Sequence, residues 1–160
     1  MTKKYSQNKL RSIGREYALQ ALFQVELNPQ VTVANWNDEE EAIDDEASEY
    51  SLSGEDRDVA RQFAKLLYLG VVDRKSEIDA TLNAAFDKGR TIARTAHVDR
   101  CILRLAAFEM TVLKTPKAVV ISEAIELGNK FGDVKTRAFL NGVLDQIGKS
   151  APDASAQAAD

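Results

Sequence analysis

The stretch "HVDRCILRLAAFEMTVLKTP", His97–Pro116, decides the fold. Val98, Ile102, Leu105, Phe108 and Val112 recur every three or four residues, which is the spacing of one helix face. Leu113 widens that face, and Pro116 either stops this helix or starts the next. Downstream, "KAVVISEAIELGNKFGD" places Val120, Ala124, Leu127 and Phe131 along one side, with Gly132 as the C-cap. The β-branched run at its start argues for strand, but the acid-rich continuation "EAIELGNK" argues more strongly for helix. "VKTRAFLNGVLDQIG" follows. Phe139 or Leu140, with Val143, Leu144 and Ile147, forms its buried side, and Gly148 ends it.

Upstream, a helix starts near Leu10, carries Ala18, Ala21, Leu22 and Val25 on its apolar face, and ends at Asn28-Pro29. Ser53 then caps a helix whose first turn holds Glu55 and Asp56, and whose inner stripe is Val59, Phe63, Leu66, Leu67 and Gly70. Another begins at Asp73, buries Ile78, Leu82 and Ala85 or Phe86, and breaks at Gly89. The expectation is an all-α chain of two packed helical bundles with six or seven helices. Residues 1–8 would be a flexible basic arm. Residues 9–88 would form the N-terminal bundle, interrupted by an acidic connection at 35–56. Residues 89–149 would form the C-terminal bundle, and 150–160 a disordered tail.

The 160 residues carry a formal net charge of -4, but the charge is segregated. Residues 1–34 sum to +3, residues 35–56 to -10 with ten acids and no base, and residues 57–150 to +5. Outside the acidic stretch the body is basic, so the low overall charge does not exclude a nucleic-acid partner. The acidic stretch reads as a solvated loop, with mimicry of phosphate charge as the more active alternative. One cysteine, Cys101, lies in an apolar periodic segment and reads as a small buried hydrophobe in a reducing compartment. No run is long enough to span a membrane and no secretory signal is evident, which makes the cytoplasm the default location.

Catalytic chemistry is sparse. The single histidine, His97, stands beside Asp99 with no nucleophile placed for it, and a cap or surface role is expected. There is no cysteine pair for a metal, no phosphate-cradling glycine loop and no spaced calcium ligands. The reading is a protein that is not an enzyme and needs no cofactor. Glu109, at the edge of the core stripe, calls for a partner, and an arginine from another helix is the natural one.

Binding chemistry is present. Arg11, Arg15, Leu19 and Phe23 are four apart and would form a ridge running from two guanidinium groups to a ring, with Lys3, Lys4 and Lys9 extending the charge. Arginine pairs hold phosphates and an exposed ring stacks on an unpaired base, which suits single-stranded RNA better than a duplex groove; the other reading of the same stretch is a solubilising basic arm with Phe23 in the core. In the last helix, Lys135, Arg137 and Phe139 precede Asn141-Gly142. Asn141 either bridges backbone groups or meets a phosphate, and Gly142 reads as a site of close helix contact.

The stretches "REYALQALFQVEL", "ARQFAKLLYLGVVDRKSEID", "VDRCILRLAAFEM" and "VVISEAIELGNKFGDVKTRAFLNGVLDQI" together resemble the NusB family of bacterial transcription antitermination factors, over most of residues 9–148. The resemblance implies two helical bundles, no catalysis, and binding to the boxA RNA of ribosomal RNA operons. It also implies a protein partner, the ribosomal protein NusE, and delivery to elongating RNA polymerase with other Nus factors. On that basis Lys9, Arg11, Arg15, Phe23, Phe139 and Asn141 would face RNA. Asp99, Arg104 and Glu109 would lie in the protein-facing surface or support it. Ser12, Ile13 and Gly14 thin the family's arginine cluster, so weak RNA binding alone and stronger binding with NusE are expected. A helical interaction module without sequence-specific RNA binding is the alternative, and a homodimer that hides the RNA face is left open.

Overall fold

The computed structural model describes residues 5–28, 50, 52 and 54–150. Among these the chain is all-α. The helices are α1 (Gln7–Leu27), α2 (Gly54–Asp73), α3 (Lys75–Ala85), α4 (His97–Thr111), α5 (Lys117–Phe131) and α6 (Thr136–Ser150), with one 3-10 turn at Ile92–Arg94. They fall into two compact units, Met1–Asp73 and Arg74–Asp160. The sequence reading of an acidic loop before residue 50, its Ser53 cap and a disordered tail after 150 lie outside the described residues.

In the N-terminal unit α1 packs on α2. Leu10, Ile13, Tyr17, Ala18, Ala21 and Leu22 of α1 and Ala60, Ala64, Leu67, Tyr68 and Val71 of α2 are buried. Gly14 marks the tightest approach, since a Cβ there would stand 2.9 Å from the Ala60 carbonyl oxygen. Residues 1–4 of the expected arm lie outside the described residues, and from Tyr5 the chain is hydrogen-bonded into the start of α1. Ser6 caps the helix, its Oγ accepting from the Lys9 N–H at 3.1 Å. The Tyr5 N–H donates to Asp56 Oδ2 and the Tyr5 hydroxyl to the Tyr50 carbonyl, both at 3.0 Å. A capped turn with a hydrogen-bonded tyrosine in front of it is ordered from residue 5 onward.

In the C-terminal unit α4 is the central element. Its residues 101–110 are all buried, because α3, α5 and α6 each pack against it. Ile102, Leu103, Phe108 and Met110 are at most 1% exposed, each such side chain contributing about 1.5–3 kcal/mol. The ends of the stripe are looser: Val98 is half-buried and Val112 is exposed. Leu140, not Phe139, is the fully buried member of the α6 pair. Gly148 does not end α6; the helix continues to Ser150 with Lys117 lying against that glycine. Lys117 Nζ also pairs with Asp145 at 2.7 Å, joining α5 to α6.

The sequence reading ends the first bundle at residue 88, whereas the contacts end it at Asp73. Ile78 and Leu82 of α3 are buried and α3 packs on α4 and α6. The junction carries no glycine or proline, only Arg74 between two helices. Gly89, read as the break, is a left-handed turn (φ 92°) inside the second unit. It connects α3 to the 3-10 turn.

Candidate functional site

Two surfaces carry the residues in question, one in each unit. On α1, Lys9 and Arg11 are exposed within the first turns, and the first turn holds no acid. Positive charge at a helix N-terminus opposes the helix dipole, so these bases are placed against the local electrostatic preference. Lys9 Nζ lies 4.9 Å from the centre of the Tyr50 ring, and the Tyr50 hydroxyl donates to Glu16. Arg11 and Arg15 both stand over the Phe63 ring of α2, at 5.7 and 5.3 Å. The expected ridge does not stay on the surface. Arg15 is 4% exposed and Leu19 3%, while Phe23 is half-buried. The line that starts with Arg11 runs under α2, where Arg15 packs its cation over an aromatic ring.

In the C-terminal unit a cavity of about 740 Å³ opens between the α3–α4 connection and the start of α6. Phe139 lines it and stacks on Phe86, with ring centres 5.8 Å apart and planes 19° from parallel. The Arg90 guanidinium sits 5.0 Å from the Phe139 ring centre. The connection is held in place from its far side: the Ile92 N–H donates to Asn83 Oδ1 at 2.8 Å, and the Ile92 side chain is buried. That anchoring lets the exposed loop before it carry Arg90 to the ring. Arg90, Arg94 and Lys135 face Asp87, Asp99 and Asp133 around the cavity. The charges balance, so the site is an aromatic pocket with polar edges of both signs and not a simple phosphate trap.

Asp99 enters from the first turn of α4 and accepts the Thr136 hydroxyl at 3.0 Å. Burial pushes its carboxyl above the usual range; the Thr136 hydrogen bond opposes that shift, and the charge of Asp133 adds to it. Asp99 thus pairs with Thr136 and not with His97, whose ring nitrogen accepts from Arg100 at 3.0 Å.

Arg104 and Glu109, expected in a protein-facing surface or its support, are buried within α4. Arg104 makes a two-pronged pair with Asp79 of α3, at 2.8 and 3.0 Å. Glu109 accepts from the Thr115 hydroxyl at 3.4 Å. Both therefore brace the unit from within. Asn141 is exposed on α6. Gly142 corrects the expectation of close helix contact: a Cβ there would meet nothing within 4 Å, and the residue lines the open cavity.

The structure brings Phe139 and Asp99 to one cavity and groups Lys9, Arg11 and Arg15 on one helix. Sequence reasoning took Phe86 only as a core candidate and passed over Arg90 and Thr136. Arg90 carried a usable signal, as a cation beside a glycine turn. Thr136 carried only the local spacing to Asp133, three residues before it; its tie to Asp99, 37 positions away, carried no signal. Among the described residues no cluster of His, Cys, Asp or Glu could hold a metal ion, and no helix is long and apolar enough to cross a membrane.

Comparison with known proteins identifies the architecture. The model of the NusB family matches residues 12–149. The chain belongs to the NusB family. The transcription antitermination protein NusB of Anaeromyxobacter dehalogenans is 39% identical over 146 residues, covering 90% of this chain and 94% of that protein. Its counterpart in Geobacillus kaustophilus is 40% identical over 138 residues, covering 86% and 94%. Among solved structures, T. maritima NusB superposes with a TM-score of 0.72 at 29% identity, covering 94% of this chain and 96% of that one. A crystal structure of antitermination factors NusB and NusE in complex with dsRNA has a similar chain, with a TM-score of 0.72 at 26% identity, covering 89% and 98%. The family acts in transcription antitermination and its members are not enzymes.

Proposed function

We propose that this protein binds boxA RNA of ribosomal RNA operons together with the ribosomal protein NusE. In that role it supports processive elongation by RNA polymerase with other Nus factors, in the cytoplasm. The observation that carries this reading is the stacked Phe86–Phe139 pair under Arg90, on the wall of an open cavity. Rings and a guanidinium plane offer stacking surfaces for unpaired bases, while carboxylates and cations at the same rim offer partners for base edges. The similar chain crystallised with NusE and dsRNA supports NusE and RNA as the partner classes; the reading of an unpaired strand rests on the rings alone. Within the N-terminal unit, exposed Lys9 and Arg11 offer phosphate contacts of their own. The balanced charge of the cavity and the burial of Arg15 reduce the positive charge that these two surfaces offer to RNA, which favours a complex in which NusE supplies part of the RNA surface.

The test is a titration of boxA RNA and a scrambled RNA, with and without NusE, over a range of salt. Tighter binding of boxA by the NusE complex than of scrambled RNA is the expected result. The slope of log K against log salt, about 0.7 per neutralised phosphate on a single strand, counts the contacts. NusE binding with equal affinity for both RNAs would instead make the protein a helical interaction module. Loss of RNA binding on self-association would identify a homodimer that covers this face.

A further inference from the structure

Thr136 is the first residue of α6 and is 1% exposed. Two glycines of the preceding segment make room for it. A Cβ on Gly132 would stand 2.7 Å from the Thr136 Oγ, and one on Gly128 would stand 3.0 Å from its methyl carbon. The hydroxyl joins three segments. It accepts from the Asp133 N–H at 3.0 Å and lies 3.0 Å from Asp99 Oδ1 and 3.2 Å from Asp133 Oδ1. One hydroxyl has one proton to give. Asp133 is exposed and its Oδ1 already accepts from the Lys135 N–H at 2.9 Å, so the proton goes to the more enclosed Asp99. The turn before α6 is thereby tied to the first turn of α4. Lys135 precedes the tie by one residue and Phe139 follows it by one helical turn; both line the cavity.

We infer that Thr136 is a positioning residue for the ligand-binding wall: its hydroxyl, held by Asp99, fixes the start of α6 so that Phe139 and Lys135 meet the bound RNA in register. The inference rests on the proposed function for its ligand, but its geometry can be read without one. A side chain that touches no ligand still governs affinity when it sets the rotamer and height of one that does. Thr136→Val keeps the methyl seated between the glycines and removes the hydroxyl. Thr136→Ser keeps the hydroxyl and removes the methyl.

The experiment measures boxA RNA binding by the full chain with NusE for the parent, both variants, Phe139→Ala and the Thr136→Val/Phe139→Ala double variant. Ring proton resonances of Phe139 are followed in the free protein. Thr136→Val should lower affinity about two- to thirtyfold and shift the Phe139 resonances, while Thr136→Ser binds as the parent does. In the Phe139→Ala background Thr136→Val should cost little more, because the side chain it positions is gone. Parental affinity for Thr136→Val overturns the inference, as does a loss in Thr136→Ser or full additivity in the double variant. A parent that ignores RNA even with NusE defeats the proposed function instead. In that case Phe139 resonances unmoved by Thr136→Val overturn this inference separately, and shifted ones sustain it.

Discussion

Arg11 and Arg15 meet the same ring, Phe63, yet one is exposed and the other is 4% exposed. Their substitution should therefore read out differently. Arg15→Ala removes a packed stem and a cation over a ring, and should cost about 1–2 kcal/mol of stability, seen as a lower Tm. Arg11→Ala should leave Tm nearly unchanged and weaken RNA binding, with a shallower salt slope. The spacing that made these residues a ridge also held the warning. Leu19 lies four beyond Arg15, and an apolar residue in that row points the row toward the core. Gly142 makes the opposite case. Its open surroundings allow a methyl, and alanine favours helix by about 0.8–1.0 kcal/mol. Gly142→Ala should raise the denaturation midpoint. If the cavity holds RNA or NusE, the same change should weaken the complex, and a titration beside the melt separates the two effects.

At the scale of elements, α4 is braced by charge as well as by apolar contact. Arg104 and Asp79 pair at 2.8 Å with side chains 7% and 22% exposed. Removing one partner of a buried pair costs about 3–5 kcal/mol, and the access of water to Asp79 reduces this to about 2 kcal/mol for Arg104→Ala. Asp99 works against stability. Its carboxyl is held above the usual range by burial, against the Thr136 hydrogen bond. A carboxyl whose folded value is raised favours folding when protonated. That contribution is present in acid below the unfolded value and is lost as pH rises through the folded one. Asp99→Asn should then raise Tm at neutral pH and leave it nearly unchanged in acid. Asp145 has the opposite sign. Its hydrogen bond and charge pairing with Lys117, then Lys149, hold it low. Its contribution is present at neutral pH and lost as pH falls through its lowered value. Melting curves of Asp99→Asn and Asp145→Asn across the carboxylate range should show the two trends crossing.

Over the described residues, periodicity carried the helices because each has an apolar stripe, and α4, buried on every side from residue 101 to 110, stood out by its apolar content. The unit boundary was not legible, because Asp73-Arg74-Lys75 passes between helices with no breaker residue, while the glycine that looked like a breaker only turns a loop. The cavity was only half legible. Phe139 stood out as an aromatic beside Asn-Gly, but its contacts with Phe86 and Arg90 join positions 53 and 49 residues apart, which no local pattern encodes. Charge, by contrast, is a property of the sequence as a whole and supports a prediction on its own. Changing Asp38, Glu39, Glu40 and Glu41 to their amides raises the formal net charge from -4 to zero. Long-range repulsion of RNA should fall, and it acts mainly when the Debye length, about 30 Å at 0.01 M and about 8 Å at 0.15 M, is long. The amide variant should associate faster with both boxA and scrambled RNA at low salt, converge with the parent near physiological salt, and keep the ratio between the two RNAs unchanged. A changed ratio would mean that these acids touch the recognition surface directly, and an unchanged association rate at low salt would mean that the basic patches already dominate the field the RNA meets.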